Sequence, residues 1–215
     1  MYSTTNRMNP ELFLMFPTPI LKFRLDKHQE HKETYVPKVL EFFNSRTGNP
    51  SHFETRQENS YLLMSEDSGL DIMDKQLDNM CVQYTNYLSN NKVPSFNRES
   101  WFGVHTSKMH IQSHAHYGAL FSGVYYLQFN PKYDYPTTFT SPIQNEIENW
   151  DGGRFEPDNE HTIPSTFPNY LKIQEGDVIL FPSWLTHYVP YSKEGAKERI
   201  TFVFNTFLQN ETSIR

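Results

Sequence analysis

The sequence predicts an α+β fold in which N-terminal helices pack on one sheet of a jelly-roll, or double-stranded β-helix, core. Hydrophobic residues recur at helical spacing only in the first half of the chain, whereas the second half consists of short apolar segments separated by Pro, Gly, Asn and Asp. Aromatic residues make up 15% of the chain, and their rings pack well on pleated sheets. The 215 residues are enough for one well-cored domain, so we expect a single domain over residues 1–215.

The first elements are predicted to be a strand and a short helix. Leu21, Phe23 and Leu25 alternate with basic residues, which predicts a strand within residues 13–25. Pro37 is expected in the first turn of the helix, the one position where a helix tolerates proline. The apolar residues that share one face of this helix are Val36, Val39, Leu40 and Phe43.

A longer helix is predicted next, with Ser68 and Asp71 forming its N-terminal cap. Its apolar stripe consists of Leu70, Met73, Leu77, Met80, Tyr84 and Leu88. We expect residues 1–10 to be flexible and residues 11–95 to contain the strand and both supporting helices.

The second half of the chain is predicted to form the barrel, over residues 96–210. Its long connection, residues 131–158, is rich in proline and polar residues, which is typical of a surface loop or a lid. The predicted strands are residues 101–105, 109–116, 119–129, 154–156, 170–173, 177–181 and 199–208.

Histidines are concentrated in this half. Four of the nine lie within twelve residues, and His114 and His116 are two residues apart. Residues with this spacing lie on one face of a strand, where two imidazoles can chelate a metal ion. An isolated pair is also compatible with polar strand residues that bind nothing.

Two further candidate residues, His187 and Arg199, lie later in the chain and complete the pattern. His187 follows the apolar segment of residues 178–181, and it would face the pair if the two segments are neighbours in a sheet. Arg199 begins an alternating strand that is expected to bring its guanidinium back toward the histidines. A buried unpaired charge is costly, which favours a carboxylate-binding role over a structural ion pair with a glutamate such as Glu175.

Composition excludes several classes of protein. The net charge is −6 and the chain has no apolar run long enough to span a membrane, so we expect neither an extended nucleic-acid interface nor a membrane protein. The single cysteine, Cys81, excludes an internal disulfide framework, and a cytoplasmic location is the simplest interpretation. The oligomeric state cannot be derived from the sequence.

The chain resembles the iron(II)- and 2-oxoglutarate-dependent dioxygenases, and in particular an oxygenase branch found in phages and marine bacteria. The resemblance lies in an ordered series of motifs in the second half, together with the opening segment of residues 14–20. The motifs are His-x-His at 114–116, Ser-Gly-Val-Tyr-Tyr at 122–126, Gly-Asp-x-x-x-Phe-Pro-Ser-x-x-x-His at 176–187 and Arg-Ile-x-x-x-Phe-Asn at 199–205.

The resemblance implies that His114, His116 and His187 hold Fe(II). It also implies that Arg199 and Tyr126 bind the co-substrate 2-oxoglutarate, whose oxidative decarboxylation accompanies hydroxylation of an unknown substrate. In a host cell this would be a cytoplasmic enzyme. Residues proposed as pocket walls are Trp101, Phe121 and Trp184.

The chain departs from the wider superfamily at one ligand. The acidic residue expected two positions after the first histidine is His116, so the ligand set is neutral. Asp151 could supply a carboxylate, although a turn role is the better interpretation. Two alternatives stay open: a three-histidine cupin-type metalloenzyme that does not use 2-oxoglutarate, and a non-catalytic jelly-roll binding or structural module.

Overall fold

A computed structural model of the chain describes residues 18–45, 52–54, 70–88, 96–140 and 171–208. Within these ranges the chain forms two helices, α1 (His28–Asn44) and α2 (Leu70–Leu88). The strands within the same ranges are β1 (Leu21–Arg24), β2 (His52–Glu54), β3 (Phe96–His105), β4 (Ile111–His114), β5 (Phe121–Gln128), β6 (Thr138–Phe139), β7 (Asp177–Pro182), β8 (His187–Val189) and β9 (Arg199–Leu208).

The strands form two antiparallel sheets. The larger sheet has the order β1-β7-β5-β9-β3-β2 and the smaller has the order β4-β8-β6. A cavity is lined by residues of both sheets, so the two sheets face each other across it. This arrangement is the predicted jelly-roll core.

Residues of the larger sheet alternate between two faces, because successive side chains of a strand point to opposite sides. One face packs against α1 and α2 and forms the main hydrophobic core. The strand residues on this helix-facing side are Phe102, Val104, Phe121, Tyr125, Leu127, Val178, Leu180, Ile200, Phe202 and Phe204. The opposite face, which includes Val124, Tyr126 and Phe181, borders the cavity. The helices therefore support the sheet from behind, as predicted, and leave its other face for a site.

Both helices occur where they were predicted, but α1 begins earlier than expected. The prediction that Pro37 lies in the first turn is wrong, because α1 starts at His28 and Pro37 lies inside the helix. The first turns of α1 are mostly polar, so their helical spacing is not visible as an apolar pattern. Packing of a buried face holds these turns on the sheet, and its residues are His31, Tyr35, Val39 and Phe43.

In α2 the apolar stripe is buried from Met73 to Tyr84, whereas Leu88 at the C-terminus is 49% exposed. The predicted cap residue Ser68, the segment 1–10 and the predicted strand at 154–156 lie outside the described residues. No helix in the described ranges is long and apolar enough to cross a membrane.

Several strands are shorter than predicted. The segment 109–116 contributes only β4, and the segment 119–129 contributes β5. Residues 171–173 form no strand, because Leu171 and Ile173 instead pack as irregular chain against the cavity-side cluster. Within the predicted long loop, β6 pairs with β8.

Candidate active site

The three predicted histidine ligands meet at one point between the sheets. Strand β4 pairs with β8, and in this register His114 lies directly opposite His187. One nitrogen of each of the three imidazoles lies within 4.8 Å of the others. The sequence therefore identified three side chains that the fold brings together from two remote segments.

His116 reaches this cluster in a different way from the one predicted. It lies two residues beyond the end of β4 and not on the same strand face as His114. Its main-chain N–H donates to the carbonyl of Ser183 at 2.9 Å, which ties the loop after β4 to the turn before β8. The position of His116 thus depends on a loop contact.

Two of the imidazoles have their tautomer fixed by the main chain. Nδ1 of His114 lies 2.8 Å from the carbonyl of Gln112, and Nδ1 of His187 lies 2.8 Å from the carbonyl of Leu185. A carbonyl only accepts hydrogen bonds, so in both rings Nδ1 carries the proton and Nε2 carries the free lone pair. Metal-binding histidines are commonly oriented in this way.

Burial keeps His187 neutral. The side chain is 4% exposed, and burial together with the neighbouring imidazoles of His114 and His116 lowers the pKa of His187 to about 4, although the Leu185 carbonyl opposes the shift. The lone pair of His187 is therefore available at neutral pH. Among the described residues, the cluster contains no carboxylate. Three neutral imidazole donors suit divalent iron, zinc, nickel or copper, so the residues fit a metal ion of this kind.

Arg199 lies in the same cavity, which has a volume of about 300 Å³. Its side chain is 3% exposed, and Nη1 donates to the carbonyl of Tyr135 at 2.9 Å. Within the described part of the chain, Nε of Arg199 has no hydrogen-bond partner and the guanidinium forms no ion pair with a carboxylate. Burial lowers the pKa of Arg199, but a guanidinium remains protonated. A buried cation in this environment favours an anionic ligand.

The alternative partner for Arg199, Glu175, is engaged elsewhere. Its carboxylate accepts from Lys32 at 2.6 Å and from the main-chain N–H of Phe129 at 3.0 Å. The structural ion pair considered for Arg199 is therefore not formed with Glu175.

Tyr126 lines the same cavity and is buried. Its hydroxyl donates to Oγ1 of Thr137 at 3.1 Å and accepts from the N–H of Thr137 at 3.0 Å. Burial raises the pKa of Tyr126, while the Thr137 bonds and Arg199 oppose the shift. A hydroxyl has one donor and two acceptor sites, so one lone pair of Tyr126 is left for a further donor.

One of the three predicted pocket walls lines the cavity. Trp101 does so, whereas Phe121 lies on the opposite face of the sheet with its ring centroid 5.0 Å from that of Tyr84. Trp184 is 50% exposed and does not line the cavity. Phe121 does not line the cavity because its side chain lies on the helix-facing side of β5, together with that of Tyr125. Asp151 lies outside the described residues.

Sequence reasoning missed several polar residues that line or support the site. Strand alternation could have found two of them, because Thr201 and Asn205 share the face of β9 that begins with Arg199. The others, His105 and Thr137, also line the cavity: His105 is one of the four histidines within twelve residues but was given no role, and Thr137 has no distinctive spacing.

Comparison with known proteins agrees with this geometry. Residues 99–205, close to half of the chain, match the model of a family described as "Putative 2OG-Fe(II) oxygenase". The match contains all five residues proposed from the sequence for the metal and the co-substrate. No curated protein sequence shows a significant match.

Three solved structures are similar in fold. HygX from Streptomyces hygroscopicus with nickel and 2-oxoglutarate bound is 10% identical, with a TM-score of 0.54 over 90% of this chain and 84% of the other. A Pseudomonas putida prolyl-4-hydroxylase is 11% identical, with a TM-score of 0.52 over 89% and 94%. A Trichoplax adhaerens prolyl hydroxylase in complex with a hypoxia inducible factor peptide is 12% identical, with a TM-score of 0.54 over 87% and 83%.

At these identities the likeness establishes the fold, which is the double-stranded β-helix of 2-oxoglutarate oxygenases. The family match carries the further step from fold to activity. Over residues 99–205 the chain therefore matches the iron(II)- and 2-oxoglutarate-dependent oxygenases, and it is an enzyme that uses Fe(II) with 2-oxoglutarate as its co-substrate.

Proposed function

We propose that the protein is a hydroxylase in which His114, His116 and His187 hold Fe(II). We further propose that Arg199, assisted by Tyr126, binds 2-oxoglutarate. One observation carries the proposal: the buried Arg199, without a carboxylate partner among the described residues, lines the same cavity as three converging imidazoles.

Each residue has a physical role in this proposal. A guanidinium binds a carboxylate through two parallel hydrogen bonds, so Arg199 would anchor one end of 2-oxoglutarate and aim the other end at the histidines. Apolar side chains such as Val124, Phe181 and Val203 line the cavity and would exclude water from it. The carbonyls of Gln112 and Leu185 keep two imidazoles in the tautomer that can bind the ion. Iron bound at such a site supplies the coupling of oxidative decarboxylation of 2-oxoglutarate to hydroxylation of a C–H bond.

Tyr126 would contribute to the same anion site. Its hydroxyl would have to release Thr137 Oγ1 in order to donate to a carboxylate, and Thr137 also lines the cavity. An exchange of one hydrogen bond for another of similar strength has a small net cost. We therefore propose a secondary role for Tyr126 and the main role for Arg199.

The neutral ligand set has a further consequence. Two histidines and a carboxylate would leave a divalent site with one net positive charge, whereas three histidines leave it with two. The proposed site should therefore attract the anionic co-substrate more strongly.

A cupin-type metalloenzyme that does not use 2-oxoglutarate would need the three histidines but not a buried cation beside them. A non-catalytic jelly-roll module would need neither feature. The burial of Arg199 in the histidine cavity favours the dioxygenase over both alternatives.

We keep three proposals from the sequence: a cytoplasmic location, the absence of an extended nucleic-acid partner, and one domain with its core over residues 96–210. A net charge of −6 supports the second of them.

The test is an anaerobic Fe(II) titration with and without 2-oxoglutarate, monitored by the visible charge-transfer band of the bidentate iron complex. Arg199→Met removes the charge at similar volume and should weaken 2-oxoglutarate binding by about 100-fold while stoichiometric Fe(II) binding is kept. Tyr126→Phe should weaken it by less. His187→Gln should weaken the binding of Fe(II) itself.

Arg98→Met is the matched control. Arg98 is an arginine of the larger sheet that pairs with Asp74 and Asp78, both at 2.7 Å, and it does not line the cavity. The Arg98→Met variant should bind Fe(II) and 2-oxoglutarate as the wild type does. Absence of stoichiometric Fe(II) binding in the wild type would argue for the non-catalytic module. Unchanged 2-oxoglutarate binding in Arg199→Met would argue against the proposed anion site.

A further inference from the structure

A buried hydrogen-bond chain leads from the larger sheet to His116. Ser122 on β5 and Asn205 on β9 are paired in register, and the Ser122 hydroxyl donates to Oδ1 of Asn205 at 2.7 Å. Nδ2 of Asn205 lies 3.1 Å from Nδ1 of His116. Ser122 is fully buried and Asn205 is 6% exposed, so the bond between them is shielded from water, while the bond from Asn205 to His116 is partly buried.

His116 differs in this respect from the other two histidines of the cluster. The Nδ1 atoms of His114 and His187 face main-chain carbonyls, which only accept. The Nδ1 atom of His116 faces a side-chain amide, which offers a donor at one end and an acceptor at the other. Of the three histidines, therefore, only His116 has an Nδ1 partner, the Asn205 amide, that is compatible with either tautomer of the imidazole.

The orientation of the Asn205 amide decides which nitrogen of His116 can bind a metal ion. An N–H donated by Nδ2 to Nδ1 leaves the ring proton on Nε2, which lies 3.3 Å from Nε2 of His187. A metal ion shared with His187 needs the lone pair on that same Nε2. Half a turn of the amide, which has nearly the same shape after rotation, places Oδ1 at Nδ1 and moves the proton there.

We propose that Asn205 is a positioning residue that reverses this chain when His116 binds metal. His116 Nδ1–H then donates to Oδ1 of Asn205, and Nδ2 of Asn205 donates to the Ser122 hydroxyl. The inference rests on the proposed function, because it requires His116 to be a ligand. It assigns to Asn205 the role that carbonyls perform for the other two histidines, and partners of this kind typically contribute 10- to 100-fold to metal affinity.

The test uses Co(II) alone as the probe, with affinity from calorimetry and ligand geometry from the visible d–d spectrum. Asn205→Leu keeps the volume and removes both hydrogen-bonding atoms, so it should weaken Co(II) binding by about 10- to 100-fold and alter the spectrum. Asn205→Asp supplies only acceptors and should bind Co(II) at least as tightly as the wild type.

Thr206→Val is the matched control. Thr206 is the next residue on β9 and is fully buried, and its hydroxyl donates to the carbonyl of Phe121 at 2.9 Å. This variant also loses a buried hydrogen bond at the same end of β9, but it leaves the His116 partner intact. It should bind Co(II) with wild-type affinity even if its melting temperature falls.

The outcomes separate the two proposals. If wild-type protein does not take up Co(II), the proposed function fails. If the wild type binds and Asn205→Leu binds equally well, Asn205 only fills space and this inference fails. A loss of affinity in Asn205→Asp equal to that in Asn205→Leu also contradicts it.

A second measurement does not depend on the folding of any variant at Asn205. Imidazole 1H–15N NMR of the Zn(II)-loaded wild type, with His116 assigned by difference from a His116→Gln sample, should find the ring proton on Nδ1. An unprotonated Nδ1 would overturn the inference.

Discussion

Local main-chain contacts orient His114 and His187. In each case Nδ1 faces the carbonyl of the residue two positions earlier, Gln112 in one case and Leu185 in the other. Such a contact depends on the conformation of three consecutive residues, so it forms wherever the strand end forms. The third imidazole, His116, depends on Asn205, which is 89 positions away in sequence. The orientation of the three candidate ligands thus depends partly on local and partly on tertiary contacts.

The charge of the ligand set leads to a prediction for His116. His116→Asp restores the carboxylate that the wider superfamily has at this position, and Asn205 is placed to donate Nδ2–H to it. We expect Fe(II) binding to be retained and the Kd for 2-oxoglutarate to rise by about tenfold, because the metal site loses one unit of positive charge. Titration of the Fe(II)-loaded protein with 2-oxoglutarate, monitored by its charge-transfer band, measures the change.

His116→Gln is the neutral control for that experiment. It shortens the ligand without adding charge, so its effect on 2-oxoglutarate should be smaller than that of His116→Asp once each variant is saturated with Fe(II). Tighter 2-oxoglutarate binding by His116→Asp than by wild type would contradict the electrostatic argument.

Residue patterns in the sequence identified the candidate site more fully than its support. His114, His116, His187 and Arg199 carry a distinctive spacing or an unexpected charge in an apolar strand, and the fold brings them to one cavity. Asn205 is the last residue of the Arg-Ile-x-x-x-Phe-Asn motif, but the motif does not indicate which side chain the asparagine contacts. Its contact with His116 arises only from the packing of β9 against the loop after β4.

At the scale of elements, the alternation of β5 and β9 separates the core from the site. Ser122, Val124 and Tyr126 point toward the cavity side, whereas Phe121, Tyr125 and Leu127 point toward the helices. The segment 120–127 is largely apolar, so burial of both faces of β5 was predictable, whereas β9 alternates in sequence. Which of the two faces borders the cavity was not predictable, because that depends on where the helices pack.

Close packing between β5 and β9 gives a prediction for Gly123. A Cβ at this position would lie 2.0 Å from Cζ of Phe204, whose ring is fully buried in the helix-facing core and has little room to move. Gly123→Ala should therefore destabilise the fold by about 1–3 kcal/mol. Urea unfolding monitored by circular dichroism measures the free energy of unfolding.

The double variant Gly123→Ala/Phe204→Leu tests the cause. Leucine is shorter than phenylalanine and vacates the space that the new Cβ needs. Gly123→Ala should therefore cost less stability in a Phe204→Leu background than in the wild type. A Gly123→Ala protein as stable as wild type would show that the strands can separate without cost.

Helices and strands were predictable where their packing agrees with the apolar spacing in the sequence. They were less predictable where tertiary contacts determine the local structure. The stripe of α2 identified that helix, whereas the polar start of α1 concealed the eight helical residues before Val36. Residues 171–173 look like a strand, yet they form none: Ile173 is buried and Leu171 is partly buried against the cavity-side cluster. The strand β4 ends at His114 because the following loop turns to contact Ser183.

At the scale of the whole molecule, one face of the larger sheet packs against the helices, and its other face and the smaller sheet together line the cavity of the candidate site. The helices cover the first face, and the smaller sheet closes the cavity over the second. The candidate ligands meet because β4 pairs with β8, two strands separated by more than 70 residues in sequence. Periodicity alone does not specify such pairing, and here the ordered series of family motifs supplied it.

The buried histidines lead to the last prediction, which concerns acid stability of the metal-free protein. Burial is the largest cause lowering the pKa of His28, His31 and His187, the last of them to about 4. Between these values and the ordinary histidine value near 6.5, the unfolded chain binds more protons than the folded chain. The metal-free protein should therefore be most stable above about pH 6.5 and should lose stability as the pH is lowered. His187 alone should account for a loss of about 2 kcal/mol by pH 5.

His31 isolates the part of this effect that does not involve the candidate site. It is buried at 5% exposure beside Tyr35, and within the described residues its Nε2 has no hydrogen-bond partner. His31→Phe should flatten the dependence of the unfolding free energy on pH between 7.5 and 5, whereas His110→Phe, at an exposed position, should not. Urea unfolding in a chelating buffer at several pH values measures this slope. A wild-type protein whose stability is constant or rises on acidification over this range would mean that these histidines become protonated within the fold, and that the cavity admits the charge that its burial is expected to exclude.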